Sequence, residues 1–462
     1  MPATQLFARI RATEFSRLVE SHHAYLDHTG STLYPESLVR RHAARLGSGI
    51  LGNPHSENPA SLDSTEEIEL ARDAVLRFFA ADPTEYAVCF VANATAAIKL
   101  VGESFPFRPD SRFVLSADNH NSVNGIREFA ARRGADVIYL PLTRGLRLAN
   151  PLAYIPDCRG RPASLFAYPA QSNFSGVVHP LELVDTAHAR GYSVLLDAAA
   201  FAPTHPLHLD RVKADFVAIS FYKMFGYPTG VGALIARRDA LEMLERPWFS
   251  GGAVDFVSVG AGMHQLRNGE PGFEDGTPNF LGLGAVADGL TFLSEIGVEA
   301  IEAHVLGLCA RMLEGLTAIR YPNGSPAVRI YGPTSLQARG ATVAFNLLDP
   351  DGDVVPYETL VEAAGAEGIS LRGGCFCNPG ASEAAFAYDA VRLRACLEQL
   401  GKAFTHRGLS ECMGGAPVGA VRASLGLSSN EEDVDRLLIL LRRISEDRIA
   451  RTPLRLSGDA VA

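Results

Sequence analysis

The chain lacks a basic stretch of any length. Its 42 lysines and arginines are outnumbered by 52 aspartates and glutamates, giving a formal charge of −10 and an isoelectric point near 5.7. A nucleic-acid footprint needs clustered Lys and Arg on a basic domain, so that class of partner is excluded, and "ARRGA" and "LLRRI" read as helix faces. Long apolar runs are missing too. No stretch reaches the roughly 20 residues of a membrane span, and the opening "MPATQLFARIRATEFSRLVE" carries charges throughout, without the apolar centre of a signal peptide. Neither a membrane nor a leader is expected. Cysteine is scarce: Cys89, Cys158, Cys309, Cys375, Cys377, Cys396 and Cys412 are an odd number scattered through 462 residues. That argues against a disulfide framework and for a reduced, cytoplasmic setting. No C-x-x-C pair or histidine stands at zinc-ligand spacing, so no metal centre is expected. Internal repeats and low-complexity tracts are absent.

What is present is a globular composition, 47% hydrophobic and 20% charged, long enough for roughly two to four domains. Apolar runs of strand length alternate with helical patterns: "AVCFVA" (87–92), "RFVLSA" (112–117), "DVIYLPL" (136–142), "SLFAYPA" (164–170), "YSVLLDAAA" (192–200), "DFVAISF" (215–221) and "GVGALIARR" (230–238). Continuous apolar runs separated by helices predict strands buried on both faces of a mostly parallel α/β sheet. The last third differs. A helical pattern over 297–319 leads to "ATVAFNLL", "VRASLGL" and a closing helix, a smaller α+β unit. That helix is predicted to start with Ser429 and Glu432 in capping-box spacing and to bury Val434, Leu437, Leu438 and Leu441. The expected division is an N-terminal segment 1–30, a large α/β domain 31–295, a small C-terminal α+β domain 296–452 holding a cysteine loop at 370–382, and a tail 453–462.

In an open parallel sheet, ligands gather beyond the carboxyl ends of the strands. "SVLLD" ends in Asp197, "FVAIS" ends in Ser220, and Lys223 follows at once. A lysine and an aspartate at two such mouths suit pyridoxal 5′-phosphate, whose aldehyde condenses with an amine and whose pyridine nitrogen pairs with a carboxylate. Either residue by itself is more often a solvated charge or a helix cap. Thr95 and Ala96 in "VANATAAIK" open a helix after a strand, where free N–H groups and the helix dipole suit a phosphate; Asn93 or Thr95 acting as a plain cap is the competing account. His120 in "SADNHNS" offers a flat ring, with Gln171 and Asn173 of "YPAQSNFSG" as polar groups nearby, although a single histidine is usually a buried one bonded to backbone. In "SLRGGCFCNPGAS", the spacing of Cys375 and Cys377 leaves metal ligand, redox pair and nucleophile all open.

The pieces "YLDHTGSTLYPESLV", "GNPHS", "VANATAAIK", "SADNHNSV", "YPAQSNFSG", "LLDAAAF", "SFYKMFGYPTGVGAL", "FEDGTPNF", "LRGGCFCNPGA" and "PVGAVRASLG" occur in this order. In that order the chain resembles class V, fold-type I pyridoxal phosphate enzymes, and most closely the cysteine desulfurase-like domain of molybdenum cofactor sulfurases, from about Tyr25 to Ile444. The resemblance implies the fold-type I α/β architecture and a cysteine desulfurase that converts L-cysteine to L-alanine. Lys223 would carry the cofactor, Asp197 would pair with the pyridine nitrogen and His120 would stack on the ring. Asn173 would approach the cofactor hydroxyl, and Thr95, Ala96 and Ser220 would hold the phosphate. Thr277 matches a position that reaches the phosphate from the neighbouring subunit, which implies a homodimer. Arg422 would hold the substrate carboxylate, and Cys377 would be the nucleophile that takes the persulfide, on a glycine-rich loop expected to swing; Cys375 gains no role.

The sequence departs from the pattern at Ala200, where many desulfurases have glutamine, and at Ser382, often cysteine in the sulfurase motif. It is also expected to lack the additional C-terminal domain of eukaryotic molybdenum cofactor sulfurases, so the sulfur acceptor is not implied. Two other readings stand beside it: a transaminase or carbon–sulfur lyase on the same scaffold, and a non-catalytic scaffold or sulfur carrier.

Overall fold

A computed structural model describes residues 3–451; the expected tail at 453–462 lies outside the described residues. Each apolar run of the first half forms a strand. After the short β1 (Ala24–Tyr25) come β2 (Tyr86–Val91), β3 (Arg112–Ser116), β4 (Asp136–Leu140), β5 (Leu165–Pro169), β6 (Ser193–Asp197), β7 (Phe216–Ser220) and β8 (Gly232–Arg237). Strands β2–β8 make one sheet in the order β2-β8-β7-β6-β5-β3-β4. All are parallel except β8, which runs antiparallel to both of its neighbours. A parallel return needs a crossover of a dozen or more residues, and the connection Phe221–Val231 is too short for one, so the chain turns straight back. Alternate residues feed two layers: Val88, Phe166, Val194 and Val217 enter one apolar cluster, and Ala87, Leu165, Leu195 and Phe216 the other. Both faces of the sheet are thus covered, which is why the runs read as continuous.

Beyond an exposed hairpin, β9 (Val254–Ser258) and β10 (Met263–Leu266), the helix expected over 297–319 forms as Val298–Ala318, preceded by a helix Phe280–Ile296 that the sequence reading did not name; the two meet at Gly297, where φ is 87°. The smaller sheet follows: β11 (Val328–Tyr331), β12 (Thr342–Leu347), β14 (Arg372–Gly374) and β15 (Ala420–Ser424) pair antiparallel in the order β11-β12-β15-β14, while β13 (Ile369–Ser370) pairs in parallel with β1. The N-terminal strand is therefore joined to the region that carries the cysteine loop.

Two expectations are corrected. Cys396 and Cys412 form a disulfide, with 5.8 Å between their Cα atoms. They sit on the adjacent short helices Ala390–Leu400 and His406–Cys412, a juxtaposition that a count of cysteines does not reveal. The closing helix, Glu431–Arg451, is capped one residue later than expected: Asn430 Oδ1 accepts from Asp433 N–H and Asp433 Oδ2 accepts from Asn430 N–H. Its predicted stripe of Val434, Leu437, Leu438 and Leu441 is buried as expected.

His28, in the "LDHTG" stretch after β1, is buried between Thr32 and Ser428. Burial pulls its pKa from 6.5 to about 3, against the attraction of Asp27. Between these values the unfolded chain binds the proton that the folded chain refuses, so stability rises with pH across this window and is lost as pH falls below about 6.5. At pH 5 the loss is about 2 kcal/mol. Chemical denaturation of wild type and His28→Asn at pH 7 and pH 5 checks this: the variant loses less stability on acidification.

Candidate functional site

The carboxyl ends of the parallel strands deliver the predicted residues to one cleft. Asp197 is the last residue of β6 and Ser220 the last of β7. Lys223 lies in the one-turn helix Phe221–Phe225 that follows at once. Thr95 arrives just past β2, His120 past β3, and Gln171 and Asn173 past β5. All seven line a cleft with about 590 Å³ of empty space including its open mouth, together with Asn93, Ser122 and Tyr222. That is within the usual size of a small-molecule site.

Burial drives the electrostatics here. It lowers the Lys223 pKa, opposed by the Asp197 carboxylate and reinforced by the Arg422 and Arg372 guanidiniums. Burial also lowers that of His120, again opposed by Asp197. A desolvated amine that gives up its proton readily is the form a carbonyl carbon can be attacked by. Asp197 is 7% exposed and anchored by Ala199 N–H at 3.0 Å. Ser220 Oγ accepts from Ala94 N–H, and Thr95 Oγ1 bonds Ser122 Oγ.

The helix Ala94–Ser104 has an Asn93 cap, whose Oδ1 takes the N–H of Ala96. Ala96 is thus already partnered, although it sits at the expected helix start. Asn173 is occupied too: its Nδ2 donates to Phe376 O at 2.7 Å and its Oδ1 accepts from Asn378. Thr277 is exposed, bonded to Asn53, and not among the residues lining this cleft.

Arg422 belongs to a cluster whose other members the sequence reading passed over. It is 2% exposed; Nη2 donates to Asp27 Oδ1 at 3.0 Å, Nη1 donates to Asn173 O, and its face lies on the Phe376 ring. Arg372 stands directly across the β14–β15 pair from Arg422 and grips the same Asp27 with Nε and Nη2. Gly30 leaves room for this grip: a Cβ there would stand 2.6 Å from Arg372 Nη2 and 2.7 Å from Asp27 Oδ2. Two guanidiniums thus share one carboxylate, one anion short of balance. Burial brings the Arg422 pKa down to about 10, against the pull of Asp27, and its buried Nε lacks any hydrogen-bond partner. An unpaired buried donor is costly and is relieved by an incoming acceptor such as a carboxylate. Arg422→Lys, a point charge without the fork, is expected to raise KM for an amino-acid substrate by about 100-fold, read from initial rates. An unchanged KM contradicts this assignment.

The loop after β14 brings the cysteines alongside. Phe376 and Cys377 both have left-handed backbone, φ 56° and 55°. Cys377 is exposed and Cys375 half-buried, and the Cys377 thiolate bears on Lys223, Arg372 and Arg422 electrostatically. The expected swinging loop is instead tied down: Asn121 N–H donates to Cys377 O at 2.7 Å, Asn173 holds Phe376 O, and Asn378 N–H donates to Cys375 O. Asp27 and Arg372 lie inside the quoted stretches "YLDHTGSTLYPESLV" and "LRGGCFCNPGA" but were not singled out. Their signal was a carboxylate just after a short strand and an arginine beside the cysteines, and it acquires meaning only when β1 meets β13.

The cleft residues fit pyridoxal 5′-phosphate. A desolvated amine, a buried carboxylate and an imidazole meet in one cavity, which is the donor set its aldehyde, pyridine nitrogen and ring require. Comparison with known proteins agrees with this architecture. The apo cysteine desulfurase from Thermococcus onnurineus NA1 superposes with a TM-score of 0.78 at 23% identity, covering 95% of this chain and 98% of that one. The cystine C–S lyase C-DES, solved in complex with its reaction product cysteine persulfide, superposes at 0.71 with 18% identity, covering 93% and 99%. In sequence, the molybdenum cofactor sulfurase of Solanum lycopersicum is 38% identical over 457 residues, 92% of this chain and 55% of that protein. The chain spans about half the length of the curated relatives it matches. Residues 24–437, nearly the whole described fold, match the family described as Aminotransferase class-V, and the chain belongs to that family.

Proposed function

We propose that this protein is a cysteine desulfurase that moves the sulfur of L-cysteine onto Cys377 and from there to an acceptor. The observation that carries the reading is the seat of the cysteine loop: the backbone carbonyls of Cys377 and Phe376 accept from Asn121 and Asn173, so the loop with the exposed Cys377 is anchored beside the cleft, and Cys377 acts electrostatically on Lys223. The molybdenum cofactor sulfurase relatives and the desulfurase fold support it.

Lys223 would carry pyridoxal 5′-phosphate on its amine, with Asp197 at the pyridine nitrogen, His120 on the ring, Asn173 toward the hydroxyl, and Thr95 and Ser220 at the phosphate. When bound, this group supplies an aldehyde for amines and a ring that takes up negative charge. Arg422 holds the substrate carboxylate through its fork. Lys223, whose pKa burial lowers, takes the proton from the α-carbon. The Cys377 thiolate attacks the substrate sulfur; an S–S bond forms and the C–S bond breaks, and protonation of the β-carbon with return of the proton from Lys223 to the α-carbon leaves L-alanine and a persulfide on Cys377. A carbon–sulfur lyase reaction on the same fold, a β-elimination, would instead release pyruvate and ammonia. Incubating the loaded enzyme with L-cysteine and a thiol reductant tests the choice: alanine and sulfide in equal amounts support desulfuration, and pyruvate as the main product rejects it.

The active unit is a homodimer on this reading. Thr277 is exposed beside the β9–β10 hairpin region, where Trp248, Phe256, Val259 and Met263 also stand in solvent, Val259 at 96% exposure. Exposed apolar groups gathered in one region mark an interaction surface. Light scattering is expected to give twice the chain mass, and dilution below the dimer range to release cofactor. A monomer with full cofactor content and full activity is the contrary result.

A further inference from the structure

Asp118 is a fully buried carboxylate that the proposed chemistry leaves unused. It lies two residues past β3, between the strand and His120, and three side chains donate to it. Ser172 Oγ reaches Oδ1 at 2.8 Å, His179 Nε2 stands 3.0 Å from Oδ2, and Asn378 Nδ2 reaches Oδ1 at 2.7 Å. Asn378 immediately follows Cys377. Its Nδ2 also reaches Asn173 Oδ1, and its own Oδ1 caps the next helix by accepting from Ala381 N–H. Two residues on, Gly380 lies against Ala117 so closely that a Cβ there would overlap the Ala117 carbonyl oxygen. The cysteine loop is therefore seated on the end of β3 by a side chain reaching down on one flank of Cys377, while Asn121 and Asn173 hold its backbone.

We propose that Asn378, held by Asp118, is a positioning residue that fixes Cys377 for attack on the substrate sulfur, so that the nucleophile works from a seated loop and the sulfur acceptor comes to it at the surface. This rests on Cys377 being the nucleophile. Buried, charge-assisted hydrogen bonds of this length are among the stronger ones a protein makes. A misplacement of about 1 Å at a reacting atom lowers rate by about 100-fold without touching the groups that bind substrate.

The holoenzyme tests it. Asn378→Ser keeps an oxygen to cap the following helix and removes only the amide donors. The expected result is a fall of about 100-fold in kcat for alanine release, with KM for L-cysteine and cofactor absorbance unchanged. Asp118→Ala is expected to behave alike. Asp118→Asn, which keeps an acceptor oxygen for Asn378, is expected to retain most of the activity. An unchanged kcat in Asn378→Ser overturns the proposal. So does a loss in which cofactor, KM and kcat fail together and Asp118→Asn is as damaged as Asp118→Ala, since that marks a purely structural role. Cys377→Ser run in parallel separates the two layers: full alanine release from it removes the nucleophile reading itself, whereas an inactive Cys377→Ser beside a fully active Asn378→Ser removes only the positioning role.

Discussion

Cys377→Ser is expected to bind cofactor and L-cysteine like the wild type and to lose alanine formation by more than about 100-fold. Nothing from the 370–382 loop lines the cleft around Lys223, so the substitution leaves cofactor seating intact. The hydroxyl is almost wholly protonated at neutral pH, and only the ionised sulfur is a competent nucleophile. Cys375→Ser is expected to be milder, because Cys375 is half-buried and its backbone carbonyl is taken by Asn378 N–H. Alanine release is the measurement, with cofactor absorbance as the control. Undiminished release from Cys377→Ser rejects the nucleophile.

Lys223→Ala has an effect of equal size by another route. Among the described residues the amine is the only lysine nitrogen lining the cleft, and desolvation lowers its pKa toward the form that condenses with an aldehyde and accepts a proton. Its removal takes away both the covalent hold on the cofactor and the base, and turnover is expected to fall by about 1,000-fold or more. Borohydride treatment of the wild type is expected to fix the cofactor to the peptide containing Lys223 and no other. Label on a different lysine, or an alanine variant retaining a tenth of the activity, contradicts the role.

The order of elements and the centre of the cleft were legible because each depends on local pattern. Continuous apolar runs mark doubly covered strands, and the residue closing such a run must point at the strand mouth; Asp197, Ser220 and Lys223 follow from that. The reversal of β8 is set by the shortness of Phe221–Val231, which the apolar pattern of "GVGALIARR" does not express. Partnerships between distant segments were not legible. Asp27 reaches Arg372 and Arg422 across more than 340 positions, and Asp118 reaches Asn378 across 260. The Cys396–Cys412 bond depends on two short helices lying side by side. Ala96 shows a subtler miss: its place at a helix start was right, yet Asn93 had already taken its N–H. Sequence places groups along the chain, and competition among them for one donor is decided only in three dimensions.

The most direct test of the account is the mass of the peptide carrying Cys377 after the loaded enzyme meets L-cysteine without reductant. The account predicts that this peptide, and not the one holding Cys396 or Cys412, gains one sulfur atom, and that one alanine appears per persulfide formed. Alanine or pyruvate produced over many turnovers with the Cys377 peptide unmodified at every time point would contradict it.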